Sequence, residues 1–288
     1  MEESMLCEDA NQHRKEIHVS NNDCTAAYDS ITMWGSETIY QYHGLPPNLI
    51  RFMLNIDKHQ QGHVLTAHGA SEDFEKNCGL GQGIILAPLK WKLFLDPLLK
   101  KLDETGDPYI MGTGANTVHI YAAAFADDLT VVAPTHKDYV LRMELTNKYL
   151  SFFGVELNAV KTTYTYANTV HHHHPINIWN RHLHTTAPSS VAAPTQALRY
   201  LGGWLSPSMR SKKGKNMLLA GIHSILNVLQ YKKLDWKEYR YIIQAVVESK
   251  AMYYLNVAPL TDVELFTLDR RIAAQFKRTL KMARSSIS

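Results

Sequence analysis

The sequence Val118-His119-Ile120-Tyr121-Ala122-Ala123-Ala124-Phe125-Ala126-Asp127-Asp128-Leu129-Thr130-Val131-Val132-Ala133 joins two β-prone runs through Ala126-Asp127-Asp128 alone. So short a link between two such runs predicts a β-hairpin with a carboxylate pair at its tip. Burying a carboxylate without a partner is costly, and two side by side disfavour joint ionisation. Adjacent aspartates in such a place call for a metal ion, a basic partner or open water. Taken alone, Asp127-Asp128 is better described as a turn-forming dipeptide. A third carboxylate, Asp23, ends a short strand signalled by Ile17 and Val19 and is followed by Ala27-Tyr28-Asp29. If the two strands are neighbours in one sheet, Asp23 and Asp127 meet at one edge. Two or three carboxylates, completed by substrate phosphates, are the oxygen ligands that Mg²⁺ prefers.

Residues 2–15 read as a polar helix. From Ile31 to Leu54 a weak helical rhythm breaks at Leu45-Pro46-Pro47, where each proline pushes its predecessor out of the α region. A Gly-rich turn, Cys78-Gly79-Leu80-Gly81-Gln82-Gly83, leads into an apolar helical run from Leu86 to Leu102. Gly106 to Gly114 reads as a turn-rich connection, and residues 137–153 as a helix stopped by Gly154. Residues 164–197, rich in His, Thr, Ala and Pro, read as a variable insertion. Within it His171-His172-His173-His174 is a loop or β-excursion of biased composition rather than a metal site, because no Cys, Asp or Glu cluster accompanies it. Beyond Pro207 the pattern turns helical. Leu218, Ile222, Ile225 and Leu229 share one face, as do Leu265, Leu268, Ile272, Phe276 and Leu280. The expectation is a mixed α/β body over residues 1–206 and an all-α segment over 207–288.

The chain has 288 residues, 45% of them hydrophobic and 20% charged, enough for one large domain or two small ones. That composition excludes a disordered or collagen-like chain. No run of about 18 apolar residues predicts a membrane-spanning helix, and the N-terminus lacks the pattern of a secretory signal. Cys7, Cys24 and Cys78 lie far apart, which argues against a disulfide framework or zinc knuckle and for an intracellular setting, nuclear or cytoplasmic. The net charge of +3 conceals a division: residues 210–288 hold 15 Lys and Arg against six Asp and Glu, and the rest of the chain is acidic. A basic tail on an acidic body fits a polyanion partner, and it fits a solvated helical surface equally well.

Five segments, taken in order, give the aspartates a context. Asp23-Cys24-Thr25-Ala26-Ala27-Tyr28-Asp29 matches D-x-x-x-A-F/Y-D. Gly79-Leu80-Gly81-Gln82-Gly83-Ile84-Ile85-Leu86-Ala87-Pro88-Leu89 is similar to G-x-x-Q-G-x-x-x-S-P-L, and runs on into Trp91-Lys92-Leu93-Phe94-Leu95-Asp96-Pro97-Leu98-Leu99. Phe125-Ala126-Asp127-Asp128 is an F/Y-A-D-D box. Phe153-Gly154-Val155-Glu156-Leu157-Asn158 with Lys161-Thr162 is similar to G-L-x-L-N-x-x-K-T. Leu198-Arg199-Tyr200-Leu201-Gly202 contains a Y-L-G motif. In this order, over residues 23–202, the segments resemble the reverse transcriptases of non-LTR (LINE-type) retrotransposons, and the Trp91–Leu99 stretch is close to versions in fungal elements.

The resemblance implies an α+β fold: a polymerase palm, ferredoxin-like, with an antiparallel sheet carrying helices on one face, followed by an all-α thumb. It implies an RNA-directed DNA polymerase that extends a DNA primer on an RNA template with dNTPs. It implies Mg²⁺, with Mn²⁺ as a substitute, held by Asp23, Asp127 and Asp128. By motif position Tyr28 is similar to the steric gate that excludes a ribose 2′-hydroxyl, with packing against the palm core as the alternative. Gln82 and Gly83 resemble the contact to incoming nucleotide and template. Lys161 matches the lysine that protonates the pyrophosphate leaving group, with a solvated surface lysine as the alternative, and Tyr200, Leu201 and Gly202 resemble the primer grip. The basic helices after Pro207 take the thumb's place along the template–primer phosphates. There are also departures. Ser20-Asn21-Asn22 stands where an apolar strand is usual, Ile84 where an acidic residue is frequent, and Ala87 where serine is usual. Only 22 residues precede Asp23 where the family carries a fingers region, so the chain is expected to be an N-terminally truncated member. A catalytically inactive remnant that binds nucleic acid through its basic helices is the alternative reading.

Overall fold

The structure is a computed structural model that describes residues 2–58, 61–75, 78–80, 85–169, 175–180, 185–200, 203–206, 208, 212–255 and 260–279. It forms two compact units, one of His13–Ala193 and one of Met1–Gln12 with Pro194–Ser288. In chain order the elements begin with α1 (Glu2–His13), β1 (Ile17–Asn22), β2 (Cys24–Thr25), α2 (Ala27–Ser30), α3 (Met33–Tyr42) and α4 (Pro47–Lys58). Four two-residue strands follow, β3 (Gln61–Gly62), β4 (Leu65–Thr66), β5 (Gly69–Ala70) and β6 (Phe74–Glu75), then α5 (Ala87–Asp103). Next come β7 (Tyr109–Thr113), β8 (Asn116–Ile120), β9 (Ala122–Phe125), β10 (Asp128–Ala133), α6 (His136–Phe152), β11 (Glu156–Leu157) and β12 (Thr163–Ala167). The remaining strands are β13 (Asn177–Asn180), β14 (Thr185–Pro188), β15 (Ser190–Ala192), β16 (Leu198–Tyr200) and β17 (Gly203–Leu205). The chain continues with α7 (Lys213–Leu229), α8 (Trp236–Ile242), a π-helical stretch Ile243–Glu248, α9 (Ser249–Leu255) and α10 (Asp262–Thr279). The architecture is mixed α+β with a helical C-terminal segment.

The first unit is organised by a five-stranded sheet in the order β15-β12-β1-β10-β9. β1 lies between β10 and β12, antiparallel to both, and β15 joins β12 in parallel. Along β1, His18, Ser20 and Asn22 point to one face and are buried, with Ser20 Oγ donating to the Met143 sulfur of α6 at 3.3 Å. Ile17 and Val19 are buried on the other face. The polar Ser20-Asn21-Asn22 is thus accommodated: Asn22 Nδ2 donates to Ser20 Oγ and to the Leu129 carbonyl of β10, each at 3.0 Å. These two bonds satisfy the amide nitrogen of Asn22, while its Oδ1 is buried without a hydrogen-bond partner.

Helix α5 shows how the sequence's irregularities are absorbed. Pro97 lies inside it and has no N–H, which leaves the carbonyl four residues earlier, that of Leu93, without its helical donor. His43 Nε2 donates to that carbonyl at 2.9 Å. Lys90, fully buried, donates to both oxygens of the equally buried Asp57 at 2.7 Å and ties α5 to α4. Arg142 on α6 is also fully buried. Its guanidinium donates to the carbonyls of Thr105 (2.9 Å), Asp107 and Val132, and its carbon lies 4.8 Å from the Tyr121 ring centre.

Three expectations are corrected here. Val118–Phe125 is not one strand: pairing changes partner at Tyr121, so that β8 joins β7 in a separate ribbon while β9 joins β10. The ribbon exists because Gly114, at φ +64°, turns the chain through a two-residue link from Thr113 to Asn116. The supposed turn-rich connection Gly106–Gly114 therefore contains β7. The variable insertion 164–197 likewise supplies most of β12, an interior strand of the main sheet. Its Tyr164 is fully buried and stacks on Tyr139 of α6 at 4.4 Å, a packing that outweighs the segment's loop-like composition.

In the second unit β16 and β17 form a hairpin, and the helices bury Leu218, Ile222, Leu226, Leu229, Tyr239, Ile243, Val247 and Leu268. Leu218, Ile222 and Leu229 of the predicted α7 stripe are in this core and Ile225 packs against it; Leu226 completes the face. In α10, Leu268, Ile272 and Phe276 face the same core, and Leu280 lies outside the described residues.

Candidate active site

The register of β1 on β10 pairs Asn22 with Leu129. Carried one residue further, it sets Asp23 opposite Asp128, with Asp127 in the two-residue turn between Phe125 and Asp128. The three carboxylates feel one another. Burial first, and then Asp127 and Asp23, raise the Asp128 carboxyl above its ordinary range. The Cys24 thiol is pushed up to about 12 by burial and then by all three aspartates. The register therefore brings Asp23 level with the Asp127-Asp128 turn at one end of the β1–β10 pair.

Near each group of aspartates an alanine is in the left-handed region, Ala26 after β2 at φ +47° and Ala126 in the hairpin turn at φ +53°. For a residue with a Cβ this conformation costs about 1–2 kcal/mol, so something must hold it. At the hairpin tip the holder is Trp91 of α5, whose indole N–H donates to the Ala126 carbonyl at 2.6 Å. Tyr28, on α2, lies 5.4 Å from the Trp91 ring and is partly buried; its hydroxyl is raised by burial and then by Asp127. Tyr28 thus packs on the core edge, with its hydroxyl within the field of Asp127.

Lys161 reaches Asp23 from a separate element. β11 pairs with β2, Leu157 opposite Cys24, and the Asn158 N–H donates to the Asp23 carbonyl at 2.8 Å. Asn158 Oδ1 then accepts from the N–H groups of Val160 (3.1 Å) and Lys161 (3.2 Å), a side-chain-closed turn. The turn presents Lys161 Nζ at 3.3 Å from Asp23 Oδ2, with Lys161 exposed and Asp23 partly buried. Gly79 supports the same region from behind. At φ +95° its N–H donates to the Ile31 carbonyl at 2.9 Å, and a Cβ there would lie 2.7 Å from the Asp29 Cα. Only glycine fits so close an approach. Cys78, exposed, forms a bridge with Thr32 beside it.

Asp23, Asp127, Asp128, Lys161 and Tyr28 are therefore gathered in one region. Gln82, Gly83, Leu201, Gly202 and the run His171–His174 lie outside the described residues. The backbone of Tyr200 pairs with Gly203 in the β16–β17 hairpin of the other unit. Sequence reading missed three supporting residues: Trp91, Asn158 as the turn-former, and Asn22 as the strand-to-strand clamp. Trp91 and Asn158 stand inside quoted motifs, and the N-x-x-K spacing is the signal that points to the Asn158 turn. Asn22 gave no signal beyond its oddness in a buried strand. Among the described residues no three His, Cys, Asp or Glu side chains converge on a point that would hold a metal ion. The donor chemistry of Asp23, Asp127 and Asp128, carboxylates that repel one another at an open edge, nonetheless fits a hard divalent cation.

The profile of the reverse transcriptase (RNA-dependent DNA polymerase) family matches residues 1–205. The chain belongs to the reverse transcriptase family. Over 153 residues this reverse transcriptase chain is 29% identical to the retrovirus-related Pol polyprotein from type-2 retrotransposable element R2DM of Drosophila melanogaster. That match takes in 53% of this chain and 14% of the polyprotein, so the chain spans a small part of the curated relative's length. The relative comes from an insect, and it lends no support to a particular closeness to fungal elements. Among solved structures, apo telomerase from Candida tropicalis aligns with a TM-score of 0.46 at 10% identity, over 96% of this chain and 50% of that one. Telomerase from Candida albicans in complex with a TWJ fragment of telomeric RNA aligns at 0.43 and 12% identity, over 96% and 47%. No helix among the described residues is long and apolar enough to cross a membrane.

Proposed function

We propose that the chain is the palm and thumb of a non-LTR retrotransposon-type RNA-directed DNA polymerase, adding dNTPs to a primer 3′-hydroxyl on an RNA template. The observation that carries this reading is the β1–β10 register, which aligns Asp23 with the Asp127-Asp128 turn at one open edge. Asp23, Asp127 and Asp128 would hold Mg²⁺ or Mn²⁺. When bound, such ions supply the charge that activates the attacking hydroxyl and stabilises the leaving oxygens. Lys161, held beside Asp23 by the Asn158 turn, carries a proton at Nζ for the departing pyrophosphate. Tyr28, backed by Trp91, crowds the 2′ side of the incoming sugar. Gln82 and Gly83 meet the nucleotide and template, and Tyr200, Leu201 and Gly202 grip the primer. Residues 1–206 serve as palm and 207–288 as thumb, whose excess of Lys and Arg lies along the duplex phosphates.

A second reading, a silent chain that only binds nucleic acid, is favoured by the lack, among the described residues, of three ligands converging on one point. Primer extension on an RNA template with Mg²⁺, comparing the chain with Asp127→Ala, separates the two. Incorporation by the parent alone supports the polymerase; equal incorporation by both overturns it, and none by either favours the silent chain.

A further inference from the structure

On α7, His223, Asn227 and Tyr231 follow one another at four-residue steps, from the body of the helix to just past its end, and so share a face. With Ser224, Val228 and Lys232 they line an open surface groove of about 560 Å³. Arg271 of α10 borders it, its guanidinium donating to Asn227 Oδ1 at 3.4 Å. Burial and the Arg271 charge hold the His223 imidazole below its ordinary value. The ring is therefore neutral near pH 7 and offers one donor and one acceptor. Tyr231, at the groove's end, is 82% exposed.

From Tyr231-Lys232-Lys233 the chain runs directly into α8. There Tyr239 is buried, while Trp236, Lys237, Arg240 and Tyr241 are exposed. The pairs Trp236–Arg240 and Lys237–Tyr241 are each four residues apart, so rings and cations are interleaved on one helical face. Lys237 Nζ sits 5.8 Å from the Trp236 ring centre. The two acids of this segment are already engaged: Asp235 and Glu238 form the capping box of α8, at 2.8 and 2.9 Å. Three exposed rings and four cations thus stand together, and the segment 231–241 stays net positive with Asp235 and Glu238 counted. A merely solvated helix face has no use for the rings. A duplex has no use for them either, since its bases show their faces only to each other. Unstacked bases on a charged backbone use both.

We propose that the surface from His223 to Tyr241 binds single-stranded nucleic acid. Bases stack on Tyr231, Trp236 and Tyr241; phosphates lie on Lys232, Lys233, Lys237 and Arg240; and one base edge enters the α7 groove against His223 and Asn227. This site rests on the nucleic-acid reading given above, though not on polymerisation.

The test is fluorescence anisotropy of the full chain at 0.15 M salt, with a labelled 20-nucleotide single-stranded RNA and with the same RNA annealed to its DNA complement. Tyr231→Ala with Trp236→Ala should weaken single-strand binding at least tenfold and hybrid binding less than twofold. Trp236→Phe, which keeps a stacking ring, should bind like the parent. Thermal melts check folding, and if the double variant melts early, Trp236→Ala against Trp236→Phe carries the comparison. Unchanged single-strand binding in the alanine variant, or equal loss on both ligands, overturns the proposal. So does sedimentation showing that Trp236 serves self-association while RNA affinity is unaffected. Failure of primer extension with ring-dependent RNA binding intact would remove the polymerase and leave this site standing.

Discussion

The Trp91 indole N–H and the Ala126 carbonyl, 2.6 Å apart, connect helix α5 to the turn that carries Asp127. This bond braces an alanine in a left-handed conformation immediately before the candidate catalytic pair. Trp91→Phe keeps an aromatic ring in the core and removes the donor. The lost bond should cost about 1 kcal/mol of stability, seen as a small shift of the urea midpoint. Incorporation should fall at least tenfold, because the turn is no longer fixed. Unchanged incorporation would show that the brace serves packing alone.

Lys161 and Asp23 form an ion pair at the protein surface, and such pairs contribute about 0–1 kcal/mol. Lys161→Met should therefore leave the melting curve almost unmoved while reducing the rate of nucleotide addition by tenfold or more. Rapid-quench incorporation measured beside thermal unfolding separates the two effects. A large loss of stability would assign Lys161 a structural role instead.

Lys90 and Asp57 make the opposite case, a pair with both side chains fully buried. Burial raises the Asp57 carboxyl, while the hydrogen bond and charge of Lys90 pull it down. A folded-state value above the unfolded one gives stability that is fullest at low pH and lost as pH rises through the folded value. Lys90→Met removes the opposing pull, so that variant should be best tolerated in mild acid. At neutral pH it should lose about 3–5 kcal/mol. Adding Asp57→Leu should recover most of the loss, as urea unfolding at two pH values would show.

Glu264 is drawn down to about 2, first by Lys215 and then by the backbone and hydroxyl of Thr261. With the folded value below the unfolded one, its contribution is present above the ordinary carboxylate range and is lost as pH falls toward 2. The Lys215–Glu264 contact at 2.8 Å joins α7 to α10. Glu264→Gln should lower the melting temperature at pH 6 and flatten its decline between pH 5 and pH 2.5.

What the sequence disclosed follows from how local each signal is. The carboxylates were legible because Ile17, Val19 and the runs flanking Asp127 are strand formers and the turn between the runs is short. Helix α5 was legible from the apolar residues between Leu86 and Leu102, and α7 from its four-residue rhythm. The split at Tyr121 was hidden, because strand preference says nothing of which partner a strand finds. Thr163–Ala167 was hidden by the composition around it; its place beside β1 depends on Tyr164 meeting Tyr139. Arg142 and Lys90 look like surface cations on amphipathic helices, and only the tertiary fold shows the carbonyls and the carboxylate that receive them.

The three thiols are unequal: Cys7 and Cys24 are buried and Cys78 is exposed. A maleimide dye added to the folded chain would therefore enter at one address, next to the Gly79–Asp29 contact behind the carboxylates. The chain thus carries its own attachment point for an optical reporter and needs no engineered cysteine.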